Sequence, residues 1–260
     1  MEYLNKIICG DLFETLPDMP ESVINLCFTS PPYALQRSKY YPSIGIETYA
    51  EFTLKWFNLV SRTLVSDGSI ILNIREHEKN GCQDLYVLRT ILHLCDNGWK
   101  LNGRFVWHKP TAAPLGSKKR LRRAFEDLYW FSKVDKPYVN AKGLGRKGDV
   151  GFTNKRYFEM GLCCQHKEAI PDIIVRSTDV FSVGVSKNKK GNPHPAQFPE
   201  ELASQLIQIF CPIGGCVLDP FSGSGTTAAS AKRLGRSYCG IEIDKSYVDY
   251  SLGRLGQETL

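Results

Sequence analysis

The sequence predicts an α/β fold built on a mostly parallel, twisted sheet, and three observations predict it. Apolar runs at 23–28 and 69–74 are continuous rather than alternating, as in strands buried on both faces. Such runs alternate along the chain with helical stretches, the order that gives parallel strands joined by crossovers. A glycine-rich loop follows one run, at 219–227, where nucleotide-binding folds hold their ligand. A length of 260 residues fits one large domain, or one domain carrying a small insert.

The elements follow in order. Ile7-Ile8-Cys9 is a short strand that ends at Gly10-Asp11. The run 23–28 is a buried strand with Thr29-Ser30-Pro31-Pro32-Tyr33 at its C-terminal end. Residues 49–64 form a helix with Phe52, Trp56, Leu59, Val60 and Thr63 on one face. Asp67-Gly68 predicts a turn into the strand 69–74. A helix at 84–97 stops at Asn97-Gly98. Residues 104–107 and 128–131 are two strands, read as a hairpin with a long basic loop, which supplies one antiparallel strand. Residues 133–193 lose periodicity and gain Gly, Lys and Asn, which suggests an inserted recognition lobe. The chain thus divides into 1–132, the insert 133–193, and 194–260, the outer two being halves of one domain. Pro199 opens a helix at a position that tolerates proline. A strand at 216–218, a helix at 226–234, a strand at 237–243 and a short last helix complete the chain.

Composition narrows the function. No apolar run approaches the ~20 residues of a membrane span. The first eleven residues carry charges rather than a long apolar stretch, so no export signal is expected. Nine cysteines form no C-x-x-C pair, which argues against zinc or another bound metal. Their odd number, without an export signal, leads us to expect reduced thiols and a cytoplasmic protein. The net charge of +6 is uneven: residues 109–190 hold 18 Lys and Arg against 8 Asp and Glu, a net of +10. A basic middle between near-neutral flanks suggests a polyanion face, against the plainer reading of a solvated surface.

Two motifs carry the chemistry. In Asp219-Pro220-Phe221-Ser222-Gly223-Ser224-Gly225-Thr226-Thr227, glycine lets the backbone turn sharply and approach a ligand closely. Alone, such a loop is often only a tight strand-to-helix turn. Here an acid, Glu242, ends the next strand, 17 residues after Gly225, a spacing that suits a carboxylate on ribose hydroxyls. The loop lacks a P-loop lysine, which argues against a triphosphate. In the first motif, Ser30, Pro31, Pro32 and Tyr33 suit an exocyclic base amine. That amine is conjugated to its ring and poorly nucleophilic. Acceptors on its N–H bonds, Ser30 Oγ and the Pro31 carbonyl, draw it toward tetrahedral geometry. Consecutive prolines fix φ and preset the carbonyl direction. Tyr33 would stack on a base flipped out of the duplex.

As a pair, and in this order, the motifs resemble those of the amino-methylating DNA methyltransferases in their permuted, beta-group arrangement. The resemblance covers residues 5–132 and 193–250. It implies a Rossmann-like methyltransferase fold with a small DNA-recognition insert, and S-adenosylmethionine as cofactor. The implied cofactor residues are Asp11, His194, Phe198, Asp219, Pro220, Phe221, Gly223, Ser224, Gly225, Thr226, Glu242 and Asp244. Asp219 and Gly223 would lie near the methionine end, Glu242 on the ribose and Asp11 near adenine. His194-Pro195-Ala196-Gln197-Phe198-Pro199 departs from the family pattern, which carries lysine where this chain has Phe198; the other reading of His194 is a residue at the start of a helix. Serine rather than aspartate at position 30 resembles cytosine-N4 enzymes, with adenine N6 as the alternative and an inactive DNA-binding module as a further one. Cytosine C5 chemistry needs a cysteine, typically after proline, and the chain has no Pro-Cys dipeptide. Lys118, Lys119, Arg120, Arg122 and Arg123 are candidates for tracking phosphates, with Arg146 and Arg156 from the insert. The implied partner is double-stranded DNA, with a separate restriction endonuclease acting on the same site. The protein would be bacterial or phage-encoded, and a monomer or homodimer.

Overall fold

Among the described residues, seven strands of the main sheet run one way and one runs against them. The computed structural model describes residues 3–35, 44–79, 82–110, 121–145, 176–185 and 197–257. Its main strands are β1 (Lys6–Cys9), β2 (Ile24–Thr29), β3 (Leu64–Ile74), β6 (Lys100–His108), β7 (Phe125–Ser132), β8 (Val180–Ser182), β9 (Cys216–Asp219) and β10 (Ser237–Glu242). The sheet order is β1-β10-β9-β2-β3-β7-β6-β8. Only β7 is antiparallel to its neighbours, β3 and β6. The expected fold class, mostly parallel with one antiparallel strand, is the one observed. A two-stranded hairpin, β4 (Glu78–Lys79) and β5 (Cys82–Gln83), stands apart from this sheet.

Helices cover both faces. α2 (Tyr49–Thr63) and α3 (Tyr86–Asp96) bury Trp56, Phe57, Val60, Ile91 and Leu94 in a cluster with Cys27, Ile70, Leu72 and Leu218 of the sheet. On the other face α4 (Glu200–Phe210) and α5 (Thr226–Arg233) bury Leu202, Leu206, Ile207 and Ala229 with Leu26, Phe28, Ile71 and Val217. Successive strand residues thus enter opposite cores, which is why the central strands read as unbroken apolar runs. A short α1 (Leu12–Thr15) follows β1, and α6 (Lys245–Gln257) closes the chain with 13 residues, longer than the short helix expected.

Two details differ from expectation for physical reasons. Asp67-Gly68 lies inside β3. The pairing slips from Ile24↔Leu64 to Leu26↔Ser69, so the turn residues make a bulge rather than a strand start. A Cβ on Gly68 would sit 3.1 Å from the carbonyls of Ile24 and Val65. Within the expected insert, residues 180–182 form the edge strand β8 of the main sheet. The backbone N–H of Tyr138 donates to Asp67 O (2.9 Å) and that of Asn140 to Ile209 O (2.7 Å). Ser177 N–H donates to Ala141 O (2.7 Å). The described parts of 133–193 therefore pack on the sheet. Among the described residues, no helix is long and apolar enough to cross a membrane.

Candidate active site

Parallel strands deliver their C-terminal ends to one rim, and β7, being reversed, starts there. A cavity of about 540 Å³ opens at this rim. Ser30, Pro31, Pro32 and Tyr33 line it, and so do Pro220, Phe221, Gly223, Ser224, Thr226 and Glu242. The two sequence motifs, nearly 190 residues apart in the chain, share one chamber.

The glycine loop is built by backbone geometry. Gly223 and Gly225 have φ of +52° and +72°, a region that favours glycine. The Gly223 N–H donates to Glu242 Oε2 (2.8 Å), and the Asp244 N–H donates to Oε1 (2.9 Å). Glu242 is buried, which pushes its carboxyl up. A carboxylate offers about four acceptor sites, so Glu242 keeps acceptor capacity for a ligand in the cavity it lines. Glu242→Ala is expected to weaken nucleoside-cofactor binding by about 1–3 kcal/mol, the worth of charge-assisted hydrogen bonds; unchanged affinity by titration calorimetry would reduce Glu242 to a loop brace.

Opposite the loop, Asp11 caps α1 by accepting the Phe13 N–H (2.7 Å) and also faces the cavity. Phe13, Phe52 and Phe221 make an aromatic wall, with ring centroids 5.9 Å and 6.2 Å apart in succession. An apolar slot between two acids has the chemistry to hold a nucleoside. Gln197 Oε1 accepts the Ser224 hydroxyl (2.8 Å) and fixes the loop from the α4 side. Phe198 lines the cavity and packs on Phe28 at 4.6 Å.

Three expected cofactor residues stand elsewhere. Asp219 is 3% exposed and does not line the cavity. Its Oδ1 accepts Thr29 Oγ1–H (2.7 Å) and the Phe221 N–H (3.2 Å), and its Oδ2 accepts Thr227 Oγ1–H (2.7 Å). It ties the end of β2 to the glycine loop. Asp244 also stays off the cavity; Oδ1 accepts the hydroxyl (2.6 Å) and the N–H (2.8 Å) of Ser246 beside the start of α6, and these bonds hold its carboxyl below the usual range. Gly225 turns the chain into α5 without lining the cavity. His194 lies outside the described residues.

The Ser-Pro-Pro-Tyr turn is pinned by Tyr49, whose hydroxyl donates to Pro32 O (2.9 Å). Ser30 Oγ donates to the Tyr33 hydroxyl (3.2 Å), which donates to Glu126 Oε2 (3.2 Å). Burial, and then the nearby Glu126 carboxylate, hold the Tyr33 phenol well above its ordinary pKa. The sequence reading missed this second group. Asn73, Arg75, Lys109 and Glu126 all line the cavity. Asn73 Nδ2 donates to Glu126 Oε2 (3.3 Å), and Lys109 Nζ donates to Oε1. Lys109 also lies 4.1 Å from the Trp107 ring. The available signal was a polar residue beside an apolar strand run: Asn73 after 70–72, Glu126 before 128–131.

Of the DNA candidates, Arg122 is exposed just before β7, and Arg123 pairs with Glu78 of the β4–β5 hairpin. Lys118, Lys119, Arg120, Arg146 and Arg156 lie outside the described residues.

Comparison with known proteins adds a family, two relatives and two solved structures. Residues 24–252 match the N6_N4_Mtase family, described as DNA methylase. The chain is 29% identical to the type II methyltransferase M.ScaI of Streptomyces caespitosus, over 96% of this chain and 80% of that one. It is 30% identical to the type II methyltransferase M.HinfI of Haemophilus influenzae, over 98% and 69%. Among solved structures, the cytosine-N4-specific PvuII DNA methyltransferase superposes with a TM-score of 0.76 at 24% identity, over 98% of this chain and 87% of that one. The M1.HpyAVI–SAM complex superposes with a TM-score of 0.63 at 20% identity, over 96% and 98%. At these identities the structural matches speak for the fold.

Proposed function

The chain belongs to the N6_N4_Mtase family of DNA methylases, and from that premise we propose that it methylates the exocyclic N4 amine of a cytosine in double-stranded DNA, with S-adenosylmethionine as donor. One observation carries the reading. Ser30 directs its hydroxyl proton toward Tyr33, which leaves the Oγ lone pairs for an amine in the cavity that the glycine loop also lines.

The cofactor, when bound, supplies an electrophilic methyl group. The protein supplies position. Glu242 is assigned to the ribose, the Phe13, Phe52 and Phe221 wall to the adenine, and the loop residues Gly223 and Ser224 to the methionine end, all of them lining the cavity. Ser30 Oγ and the Pro31 carbonyl accept the N–H bonds of the amine, and the Tyr33 ring stacks on the flipped base. In-line placement of amine and methyl then accounts for most of the rate. The similar M1.HpyAVI structure is a complex with SAM, which supports the same cofactor here.

Cytosine over adenine rests on serine at position 30. The type II names of M.ScaI and M.HinfI support a place as the modifying half of a restriction-modification pair, with a separate endonuclease. Lys118, Lys119, Arg120, Arg122 and Arg123, ahead of β7 in the chain, are assigned to track phosphates, and residues 133–193 to target recognition. A direct test is to incubate the protein with mixed-sequence duplex DNA and labelled cofactor, digest to nucleosides and identify the product by mass spectrometry. N4-methylcytosine is expected. N6-methyladenine as the dominant product would move the base assignment and leave fold and cofactor standing.

A further inference from the structure

Glu126 belongs to neither motif, yet it ends a hydrogen-bond chain that begins at the catalytic serine. It is 9% exposed, at the rim end of β7. Both donors run the same way, Ser30 Oγ–H to Tyr33 O and Tyr33 O–H to Glu126 Oε2, at 3.2 Å each. Apo active-site hydrogen bonds are often long and tighten when substrate binds. All three side chains line the cavity. We propose that Ser30, Tyr33 and Glu126 form a proton relay, and that Glu126 receives the proton the target amine must lose. The proposal rests on the amine-methyltransferase reading above.

The step balances. As the amine nitrogen bonds the methyl carbon, the carbon–sulfur bond breaks with its pair on sulfur, and the nitrogen is left with one proton too many. That proton passes to Ser30 Oγ as the serine proton passes to Tyr33 O and the tyrosine proton to Glu126 Oε2. The unit of positive charge that began on the sulfonium ends as a proton on the carboxylate. Serine and tyrosine finish neutral, with their hydrogen bonds reversed, and Glu126 returns the proton to water.

The surroundings suit this role. The Tyr33 phenol, held well above its ordinary pKa, stays protonated near neutral pH and so acts as a conduit rather than a store. The other groups facing the carboxylate come from the two strands that flank β7. Lys109 follows β6, Arg75 follows β3 with Nη1 3.7 Å from Oε1, and Asn73 of β3 donates to Oε2. The adjacent Asp127 is turned away and bonded to Arg104 Nε at 3.0 Å. Two cations thus face one carboxylate in a cavity that a base would dry out.

The test is single-turnover methylation, beside cofactor calorimetry and flipping of a fluorescent cytosine analogue at the target. Tyr33→Phe and Glu126→Gln should each slow methyl transfer about 10²-fold, the lower end for general acid–base catalysis. Both should bind cofactor and capture the analogue as the wild type does. Glu126→Asp should recover part of the rate. A wild-type rate in Glu126→Gln overturns the relay. Loss of base capture in step with rate also overturns it, because the cluster would then only support the turn. If Glu126→Gln does not fold, Tyr33→Phe decides by the same two readings. A wild-type protein that methylates no DNA amine overturns the functional reading itself, and the relay with it; a wild type that methylates while the variants keep full rate overturns the relay alone.

Discussion

Gly225→Val is expected to abolish cofactor binding and lower the stability of the fold. At φ +72° a side chain costs about 1–2 kcal/mol in backbone strain. There is also no room for one. A Cβ at Gly225 would lie 2.9 Å from Ser251 Cβ and 3.0 Å from its Oγ. Ser251 is fully buried on α6 and donates to the Gly223 carbonyl (2.9 Å), so it holds the loop it would be pushed from. Overpacking of this kind adds about 1–3 kcal/mol. Relief requires the loop to move, and that movement withdraws the Gly223 N–H from Glu242. Calorimetry should detect no cofactor binding, and the urea midpoint should fall. Gly253→Ala, also on α6 but with nothing within 4 Å of its Cβ, is the control and should bind normally. A Gly225→Val protein with wild-type affinity would mean the loop is not the cofactor site.

Replacement of Asp219 should act on both motifs at once. Asp219→Ala leaves two buried threonine hydroxyls and the Phe221 N–H without their acceptor. At about 1–3 kcal/mol for each unsatisfied buried group, the loss is on the order of 3 kcal/mol or more, and turnover should fall with it. Asp219→Asn keeps the shape and isolates the charge. Burial pushes the Asp219 carboxyl from 3.8 up to about 6, against the hydrogen bonds that favour its ionised form. The folded state therefore binds more protons than the unfolded state between about pH 4 and 6. The stability this group contributes is complete below that window and is lost as pH rises through about 6. At ~1.4 kcal/mol per pKa unit, the loss is about 3 kcal/mol. Asparagine has no such slope, so its stability relative to the parent should rise from pH 4 to 7. A difference between the two proteins that is flat with pH in urea unfolding would show that Asp219 does not titrate there.

The strands at 23–28, 69–74 and 216–218 were legible because burial on both faces writes a continuous apolar run. The motif turns were legible because Pro31-Pro32 and the loop glycines restrict or free φ in ways few residues do. Glu126, Arg75 and Lys109 were not, because their meeting depends on sheet order. β2, β3, β7 and β6 are neighbours in space, and no local pattern states that. Asp219 was assigned to the ligand by its place in the motif. Its actual partners, Thr29 and Thr227, lie 190 and 8 residues away, and only the packed sheet brings the first near. β8, three residues long, is too short to show a period.

The reversed strand has one more effect, on where the chain leaves the sheet. β7 starts at the rim and ends at the far side, so the chain after Ser132 departs away from the cavity. Its next described stretch is tethered there, to Asp67 at the bulge and to Ile209 near the end of α4. The returning chain is clasped to the same place by Ser177 N–H on Ala141 O at 2.7 Å. Exit and return are thus stapled together before β8 carries the chain back toward the cavity. Whatever length is spliced between 145 and 176, the sheet meets the same two fixed ends, and loop-closure entropy changes only slowly with that length. Changes in length between these two ends are therefore expected to leave the shape of the rim intact.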